Sequence, residues 1–417
     1  MSTASTLKCL ECGREYPLDK VVYNCESCGG KGLFHGTVDV VYDYEDAKER
    51  LSRGEIEARP PGVWRYVELL PVLDKSNIVT MGEGGTPLQR CRRYGAELGA
   101  RNLYLKNESV NPTWSFKDRI FTVNISKAVE YGVDAVVLAS TGNAATAASA
   151  YSARAGLRCY ILVPAEASLG KLAHILMNGA EVIRVEGGVV DAGVLSVQAG
   201  WRYGWYQLTT VKALSPYQGE GSKTIAYELC EQLGWSTPDW VVVPVGGGDN
   251  LGGIWKGFKE FHEIGLIDEL PRMVGVQAEG APLFVQAFKE GKDFSEMPII
   301  EAKTVAEGIR VGLVPGPWPL EALRESKGEA VTVSDDEILR AERELAAMEG
   351  VFAEPSAAAS AAGARRLLEE GVMDRGDTIV CVVTGGGLKD LNTALKLVEE
   401  PPTIKPTMEE LEKIIGE

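Results

Sequence analysis

A proline-initiated turn leads into a lysine in the stretch Asn111-Pro112-Thr113-Trp114-Ser115-Phe116-Lys117-Asp118-Arg119. A helical pattern follows from about residue 120 to residue 131. The positive end of a helix favours the neutral form of a lysine amine, and a neutral amine is a nucleophile towards carbonyl groups. The same residues also fit a solvent-exposed Lys-Asp-Arg run at the start of a helix. The rest of the chain has to decide between these interpretations.

Apolar runs alternate with helical patterns from residue 103 onwards. The strand candidates are 103–106, 135–139, 159–163, 182–185, 240–245, 273–277 and 378–383, and helical spacing is clear at 144–155 and 170–177. Strands and helices in alternation predict an α/β fold with open, mostly parallel sheets covered by helices.

The segments divide the chain into five parts. We expect a ribbon at 5–36, a linker at 37–80 that contains several proline breaks, a large domain from 81–133 and 209–395, a small domain at 134–208, and a C-terminal tail at 396–417. The small domain is predicted because its strand and helix candidates follow one another at short intervals.

The composition is that of an ordinary soluble globular protein. The chain has 417 residues, 45% of them hydrophobic and 24% charged, with a formal net charge of −16. So acidic a surface repels nucleic acid and anionic membranes, so neither is an expected partner. The sequence has neither an apolar run of membrane-spanning length nor the apolar core of a signal peptide at Met1–Leu7. We therefore expect a cytoplasmic enzyme.

Two CxxC pairs, Cys9–Cys12 and Cys25–Cys28, are separated by twelve residues. Each pair can place two thiolates on one side of a tight turn, and two such turns close a tetrahedron around zinc. A site with four thiolate ligands is closed and structural. The alternative is a set of reduced or disulfide-linked cysteines. The other four cysteines are scattered, as expected for small core residues.

Three loops of ligand-binding type follow strand candidates. They are Gly246-Gly247-Gly248-Asp249-Asn250, the loop Thr384-Gly385-Gly386-Gly387-Leu388-Lys389-Asp390, and Ser140-Thr141-Gly142-Asn143 before an alanine-rich helix. Backbone N–H groups at a helix start can bind an anion, and loops at strand ends are where α/β sheets bind ligands. Each loop alone could equally be a plain turn or a helix cap.

No standard nucleotide or hydrolase motif fits these loops. A dinucleotide fingerprint would need glycine at Leu251, and a P-loop would need Ser or Thr at Leu172. The three histidines, His35, His174 and His262, have no companion at metal or triad spacing, so we interpret each as a surface or core residue. The chemistry therefore points to a lysine that works with a cofactor.

In chain order, the sequence has Lys117, the loop 140–143, the loop 246–250 and the loop 384–390. This arrangement resembles the threonine synthase-like group of fold-type-II pyridoxal-phosphate enzymes. The resemblance extends from Gly82 to about Asp390, and it includes the stretches Gly275-Val276-Gln277-Ala278-Glu279-Gly280 and Phe352-Ala353-Glu354-Pro355-Ser356-Ala357. Some members of the group also carry an N-terminal cysteine ribbon. The cofactors implied are pyridoxal 5'-phosphate and a structural zinc held by Cys9, Cys12, Cys25 and Cys28.

The resemblance also implies roles for single residues. Lys117 matches the lysine that bonds to the cofactor, Asn143 the residue that hydrogen-bonds its ring oxygen, and Thr384 the hydroxyl that faces its pyridine nitrogen. Ser140, Thr141 and Gly142 match the loop that binds the substrate carboxylate. The residues that match the loop around the cofactor phosphate are Gly246, Gly247, Gly248, Asp249 and Asn250. A hydroxyl at the pyridine nitrogen leaves it unprotonated, which favours elimination and replacement over transamination.

Three positions depart from the group's pattern. Trp114 stands where glycine is usual, and its indole is expected to fill part of the substrate pocket or to stack on the bound ligand. Gln218 stands where threonine synthases usually carry an arginine that helps bind the substrate's phosphate, and Gly247 replaces a usual asparagine. A neutral glutamine cannot replace a guanidinium on phosphate. Compensation could come from Arg119, Lys171, Lys223 or Arg310.

The implied reaction is that of threonine synthase, in which O-phosphohomoserine and water give threonine and phosphate. An alternative is β-elimination or β-replacement on serine, threonine or an O-substituted serine. A further alternative is a degenerate protein that holds a cofactor and acts only through interactions, although the intact Lys117 and Asn143 argue against it. The expected partner is a small amino-acid substrate, and the resemblance implies a homodimer.

Overall fold

The computed structural model describes residues 1–32 and 34–416. Leu33, in the predicted ribbon, and Glu417, at the end of the predicted tail, lie outside the described residues. The strands are β1 (Ala4–Cys9), β2 (Glu15–Tyr16), β3 (Val38–Tyr42), β4 (Leu88–Arg90), β5 (Asn102–Asn107), β6 (Ala135–Ala139), β7 (Arg158–Pro164), β8 (Glu181–Val185), β9 (Tyr206–Gln207), β10 (Trp240–Pro244), β11 (Arg272–Ala278), β12 (Glu329–Val333) and β13 (Thr378–Val383).

Helices alternate with most of these strands. They are α1 (Tyr44–Arg50), α2 (Arg53–Glu57), α3 (Arg93–Leu98), α4 (Lys117–Glu130), α5 (Asn143–Ala155), α6 (Leu169–Met177), α7 (Val189–Tyr203), α8 (Thr224–Gln232), α9 (Asp249–Glu263), α10 (Leu283–Glu290), α11 (Trp318–Glu325), α12 (Asp335–Glu349), α13 (Pro355–Glu369), α14 (Leu391–Ala394) and α15 (Met408–Ile415). None of the helices in the described part of the chain is both long and apolar enough to cross a membrane.

Two mainly parallel sheets form the body of the protein. The large sheet has the order β12-β11-β10-β13-β5-β4, and only β4 runs antiparallel to its neighbour. The small sheet has the order β8-β7-β6-β9 and is parallel throughout. The predicted α/β fold class is confirmed. The strands β10 and β13 are almost entirely buried, which explains their unbroken apolar sequences.

The helix α4 connects the two sheets. Its first residue, Lys117, lies beside the loop that follows β13 of the large sheet. Farther along, Ile120, Phe121 and Ile125 are buried in one apolar cluster with Val136 of the small sheet. The sequence assigned this helix to the large domain, yet most of its buried apolar face belongs to the small-sheet core.

The charged residues after Lys117 are buried and paired. The Arg119 guanidinium contacts Glu108 at 2.6 Å and Glu228 at 2.6 Å, and Lys106 contacts Glu228 at 2.6 Å. The N–H of Gly85, in the glycine-rich turn, donates to Glu228 at 2.7 Å. The interpretation as a solvated run is therefore wrong, since this network of two cations and two carboxylates ties the turn to α4 and α8.

The N-terminal sheet is part of the main core. Its order is β2-β1-β3, and β3 comes from the segment predicted to be a linker. Val38, Val40 and Tyr42 are buried in the cluster that contains Phe258 of α9. Between them, Asp39 contacts Lys212 at 2.5 Å and Lys256 at 2.9 Å. The ribbon is thus joined to the body by apolar packing and by buried charge.

Candidate active site

Lys117 is held in place by the loop that follows β13. The N–H of Phe116 donates to the Thr384 carbonyl at 3.0 Å, and the N–H of Gly386 donates to the Trp114 carbonyl at 3.0 Å. Ser115 and Gly385 form an antiparallel bridge between these two hydrogen bonds. The structure therefore brings together the lysine and the hydroxyl residue that the sequence placed in one site.

The Lys117 amine lies in an environment that favours its neutral form. Burial lowers the pKa of Lys117, and the negative charges of Asp249 and Glu354 only partly oppose this effect. The position at the start of α4 acts in the same direction as burial. The amine is therefore poised as a nucleophile and as a base.

Glu354 is a site residue that the sequence analysis did not single out. It precedes α13, its N–H donates to the Gly385 carbonyl at 3.0 Å, and its carboxyl group accepts a 2.9 Å hydrogen bond from the Asn143 side-chain amide. Burial raises the pKa of Glu354 to about 7. In the sequence, the Glu-Pro pair before an alanine-rich stretch indicates the start of a helix. No local pattern indicates that the Glu354 side chain points towards Asn143.

The glycine loop 246–248 connects β10 to α9. Gly248 has φ +87°, and a Cβ there would lie 2.5 Å from Cβ of Pro319, so the turn requires glycine at this position. Asp249 opens the helix. Its Oδ1 accepts from the Lys212 N–H at 3.2 Å, while its Oδ2 is buried with no partner in the described residues. Burial raises the pKa of Asp249 to about 7.

The loop Ser140-Thr141-Gly142 connects β6 to α5, and Asn143 is the first residue of that helix. The loop is partly exposed, and the Gly142 N–H donates to the Ser140 hydroxyl at 3.3 Å. Free N–H groups at the start of a thirteen-residue helix suit a carboxylate. The Asn143–Glu354 hydrogen bond joins this loop to the Lys117 region.

Several buried polar atoms in and around this site lack partners within the described residues. They belong to Ser115, Gln218, Asp249 and Asn250. Buried polar groups are nearly always hydrogen-bonded in proteins, so several buried polar atoms without a hydrogen-bond partner in one region indicate a ligand. Two helix N-termini, a lysine poised to be neutral and unpaired donors fit an anionic cofactor that bears an aldehyde.

Gln218 is fully buried in the loop between Ser215 and Lys223. In this loop Gly221 packs so closely against the Arg119 carbonyl that a Cβ would lie 1.8 Å from it. The loop therefore sits against the first turn of α4, close to Lys117 in the chain. Both polar atoms of the Gln218 side chain are among the orphans.

Trp114 adopts a backbone conformation that explains the usual glycine at this position. Its φ is +64°, in the left-handed region that bulky residues rarely occupy. The side chain is 47% exposed, and its ring centroid lies 5.5 Å from that of His174 in α6. The indole thus reaches from the Lys117 loop, which contacts the large sheet, to a helix that packs on the small sheet.

We expect Trp114→Ala to be less stable than Trp114→Gly by about 1 kcal/mol, because alanine keeps the left-handed strain and glycine does not. Both variants lose the contact with His174, so that loss cancels in the comparison. Urea denaturation of the two variants measures the difference in the free energy of unfolding. A more stable alanine variant would show that the left-handed backbone at this position carries no strain.

The four cysteines of the two CxxC pairs come together at the N-terminal sheet. The sulfur atoms of Cys9, Cys12, Cys25 and Cys28 all lie within 4.8 Å of one another. All four are free thiols, and three of them are buried. This set of donors fits a tetrahedral metal site.

Comparison with known proteins gives the family. Residues 79–385 match the family described as pyridoxal-phosphate dependent enzyme. The chain belongs to this family. The matched residues contain Lys117, the loops 140–143 and 246–250, and the first two residues of the loop 384–390. The cofactor of this pyridoxal-phosphate dependent enzyme is therefore pyridoxal 5'-phosphate, and the family resemblance inferred from the sequence is confirmed.

Full-length relatives and solved structures agree with this assignment. The chain is 46% identical to the threonine synthase of Methanocaldococcus jannaschii, over 98% of this chain and 99% of the relative. It is 42% identical to that of Methanosarcina acetivorans, over 98% of both. Maize serine racemase superposes with a TM-score of 0.65 at 23% identity, covering 75% of this pyridoxal-phosphate dependent enzyme and 90% of the racemase. At that identity the likeness shows the fold alone.

Proposed function

We propose that the enzyme is a threonine synthase, which converts O-phosphohomoserine and water to threonine and phosphate. The observation that carries this proposal is the likeness to threonine synthases over almost the whole length of both chains, including the N-terminal ribbon. The predicted site agrees with it, since Lys117, Asn143 and Thr384 are joined through Glu354 and the loop after β13.

The side chains divide the work of this reaction. Pyridoxal 5'-phosphate held at Lys117 would supply an electron sink for negative charge at the substrate's Cα. Ser140, Thr141 and Gly142 hold the substrate carboxylate at the start of α5. The amine of Lys117 would move protons at Cα and Cβ. Phosphate would leave from Cγ as Cα and Cβ each lose a proton, hydroxide from water would add at Cβ, and Cγ and Cα would each gain a proton.

The loops at either side fix the cofactor itself. The N–H groups of 246–250 and the start of α9 suit a phosphate group. Asp249 can share this site because burial raises its pKa to about 7, so its carboxyl group is substantially protonated and can donate a hydrogen bond. Asn143 binds the ring oxygen, and Thr384 offers its hydroxyl to the pyridine nitrogen.

Steady-state kinetics with O-phosphohomoserine test this function. We expect kcat/KM of about 10⁴ M⁻¹s⁻¹ or more, the ordinary range for enzymes on their own substrates. Release of phosphate and formation of threonine should be equal in amount. A value orders of magnitude lower, together with efficient turnover of another amino acid, would refute the proposal.

A second candidate function rests on Gln218 and Gly247. Neither side chain can contribute charge to a phosphate site, and Gln218 is buried without partners among the described residues. An enzyme for β-elimination or β-replacement on serine, threonine or an O-substituted serine would not need the missing arginine. Rapid-scan absorbance on mixing with O-phosphohomoserine, O-phosphoserine, serine and threonine in turn distinguishes the two functions.

We also propose that the two sheets form separate domains, with 134–208 as the smaller one, and that the enzyme is a homodimer. The first proposal is supported by the separate apolar cores of the two sheets. The second is supported by the family resemblance alone. Light scattering on the purified holoenzyme measures the oligomeric state.

The cysteine cluster is proposed as a structural zinc site. Four thiolates close the coordination shell, so the ion has no open position for substrate. The ribbon shares its core with β3 and α9, and the ion therefore stabilises the body as well as the ribbon.

We expect about one zinc per chain, and loss of zinc in Cys28→Ser with a lower thermal midpoint. Cys91→Ala is the matched control, because Cys91 is also buried but lies outside the cluster. Metal analysis and thermal denaturation are the measurements. Full zinc content in Cys28→Ser, or no zinc in the unaltered protein, would contradict the assignment.

A further inference from the structure

If the enzyme acts on a phosphorylated amino acid, the substrate's phosphate needs a cation, and most of the cations suggested by the sequence are committed elsewhere. Arg119 is buried between Glu108 and Glu228. Lys223 is buried between Glu220 at 2.7 Å and Glu260 at 3.0 Å. Neither can turn to a ligand without leaving buried carboxylates unpaired.

The other two suggested cations are no better placed. Lys171 forms a surface pair with Glu307 at 2.5 Å. Arg310 directly follows the short 3₁₀ turn Glu307–Ile309 and is exposed, so bulk water screens its charge. The phosphate therefore requires a cation that the sequence analysis did not consider for this role.

Lys389 occupies such a position. It lies in the glycine loop after β13, which is hydrogen-bonded to Trp114 and Phe116 on either side of Ser115. The Lys389 side chain is half-buried, and it forms no ion pair within the described residues. Burial lowers its pKa, and the charges of Glu354 and Asp118 raise it again.

The backbone sets the Lys389 loop against Trp114 and Glu354, since the Gly386 N–H donates to the Trp114 carbonyl and the Glu354 N–H donates to the Gly385 carbonyl, each at 3.0 Å. Lys389 therefore lies on a loop that contacts both Trp114 and the start of α13, and the Trp114 ring lies 5.5 Å from that of His174 in α6. The positive charge of Lys389 acts on Glu354 before α13, on Asp118 in the first turn of α4, and on His174 in α6. The pKa of His174 is lowered first by burial and then by the positive charge of Lys389.

We propose that Lys389 and His174, beside the Trp114 indole, bind the phosphate group of the amino-acid substrate. This inference rests on the proposed function. It gives Trp114 a place at the edge of the subsite, since its ring lies 5.5 Å from that of His174. Lys389 supplies a point charge and the imidazole of His174 supplies an N–H, both suited to phosphate oxygens.

The nearby carboxyl groups permit an anion here. Burial raises the pKa of both Glu354 and Asp118 to about 7, so their negative charge is incomplete at neutral pH. Binding of a phosphate raises the pKa of His174 in turn, so a proton is taken up on binding. Affinity for the phosphorylated substrate therefore falls as the pH rises from the free-state to the bound-state pKa of His174, and it falls further as Glu354 and Asp118 ionise near pH 7.

Histidine NMR on the holoenzyme gives a direct test, because the chain has only three histidines. His174→Asn identifies the His174 signal by its loss. We expect inorganic phosphate to raise the pKa of His174 by about 1 unit, the shift typical of a close opposite charge, and to leave the His35 and His262 signals in place. In Lys389→Met the shift should disappear. A His174 signal indifferent to phosphate would overturn the proposal.

Steady-state kinetics provide a second test of the phosphate subsite. We expect Lys389→Met to raise KM for O-phosphohomoserine roughly 10- to 100-fold with a smaller effect on kcat, and Lys389→Arg to recover part of the loss. Lys396→Met, at an exposed lysine of the same segment, is the control and should match the unaltered enzyme. An unchanged KM in Lys389→Met would overturn the proposal.

The two proposals fail in different ways. If O-phosphohomoserine is not turned over but phosphate still moves His174, the proposed function fails and the phosphate subsite stands. If turnover is efficient while the His174 signal and the KM of Lys389→Met are both unaffected, the function stands and the subsite fails.

Discussion

The Lys117→Ala variant is expected to lose about 10³- to 10⁴-fold in kcat, because it lacks both the covalent attachment of the cofactor and the base that moves protons on the substrate. Alanine is a good helix former at the first position of α4, so the fold should persist. Steady-state phosphate release measures the loss. Borohydride treatment of the unaltered holoenzyme should fix the cofactor on Lys117, as seen by peptide mass.

Lys405→Ala is the matched control, since Lys405 is exposed near the C-terminus. It should retain full activity and the same borohydride product as the unaltered enzyme. Substantial turnover by Lys117→Ala, or cofactor fixed on another lysine, would show that the reactive amine lies elsewhere.

The Glu228→Gln variant is expected to lose about 3–5 kcal/mol in the free energy of unfolding, because it leaves buried cations without their carboxylate. Glu228 contacts both Arg119 and Lys106 at 2.6 Å, and all three side chains are almost fully buried. Urea denaturation of the holoenzyme, followed by tryptophan fluorescence, measures the change. Glu290→Gln is the control, because the Glu290–Lys292 pair is about half exposed and should contribute no more than ~1 kcal/mol.

The pH dependence of this effect has a definite sign. Although burial alone would raise it, the charges of Arg119 and Lys106 hold the pKa of Glu228 well below its usual range. A carboxyl group with a depressed folded-state pKa stabilises the protein above its unfolded-state pKa of about 4.3, and it loses this contribution as the pH falls further. The difference in the free energy of unfolding between the unaltered protein and Glu228→Gln should therefore become smaller at acidic pH. A constant difference from pH 7 to pH 3 would contradict the pairing.

The central strands could be predicted from the sequence because they are buried on both faces. The predicted runs 135–139 and 378–383 coincide with β6 and β13. In such strands every residue meets apolar surroundings, so the local composition is sufficient. By contrast, β12 has the mixed sequence Glu-Ala-Val-Thr-Val, with two polar residues among five, at the edge of the large sheet, and the sequence analysis did not find it.

Partners of buried side chains could not be predicted in the same way. Glu354 meets Asn143 only because α13 and α5 start on neighbouring loops, and no spacing in the sequence records that. Asp118 and Arg119 have the composition of a solvated helix start, yet both are fully buried, and the carboxylate partners of Arg119 come from other segments. Ligand loops are visible locally through their glycines, whereas ion pairs between distant segments require the folded chain.

The union of β3 with the body limits how this protein can have evolved. Asp39 of β3 neutralises Lys212 and Lys256, which belong to the region around the cofactor-binding loop. A descendant that discarded the N-terminal sheet, including β3, would expose apolar side chains of α9 and leave Lys212 without its carboxylate partner, while Lys256 would keep Glu220 at 2.7 Å. Loss of this sheet therefore has to be accompanied by substitutions in the body that replace those contacts.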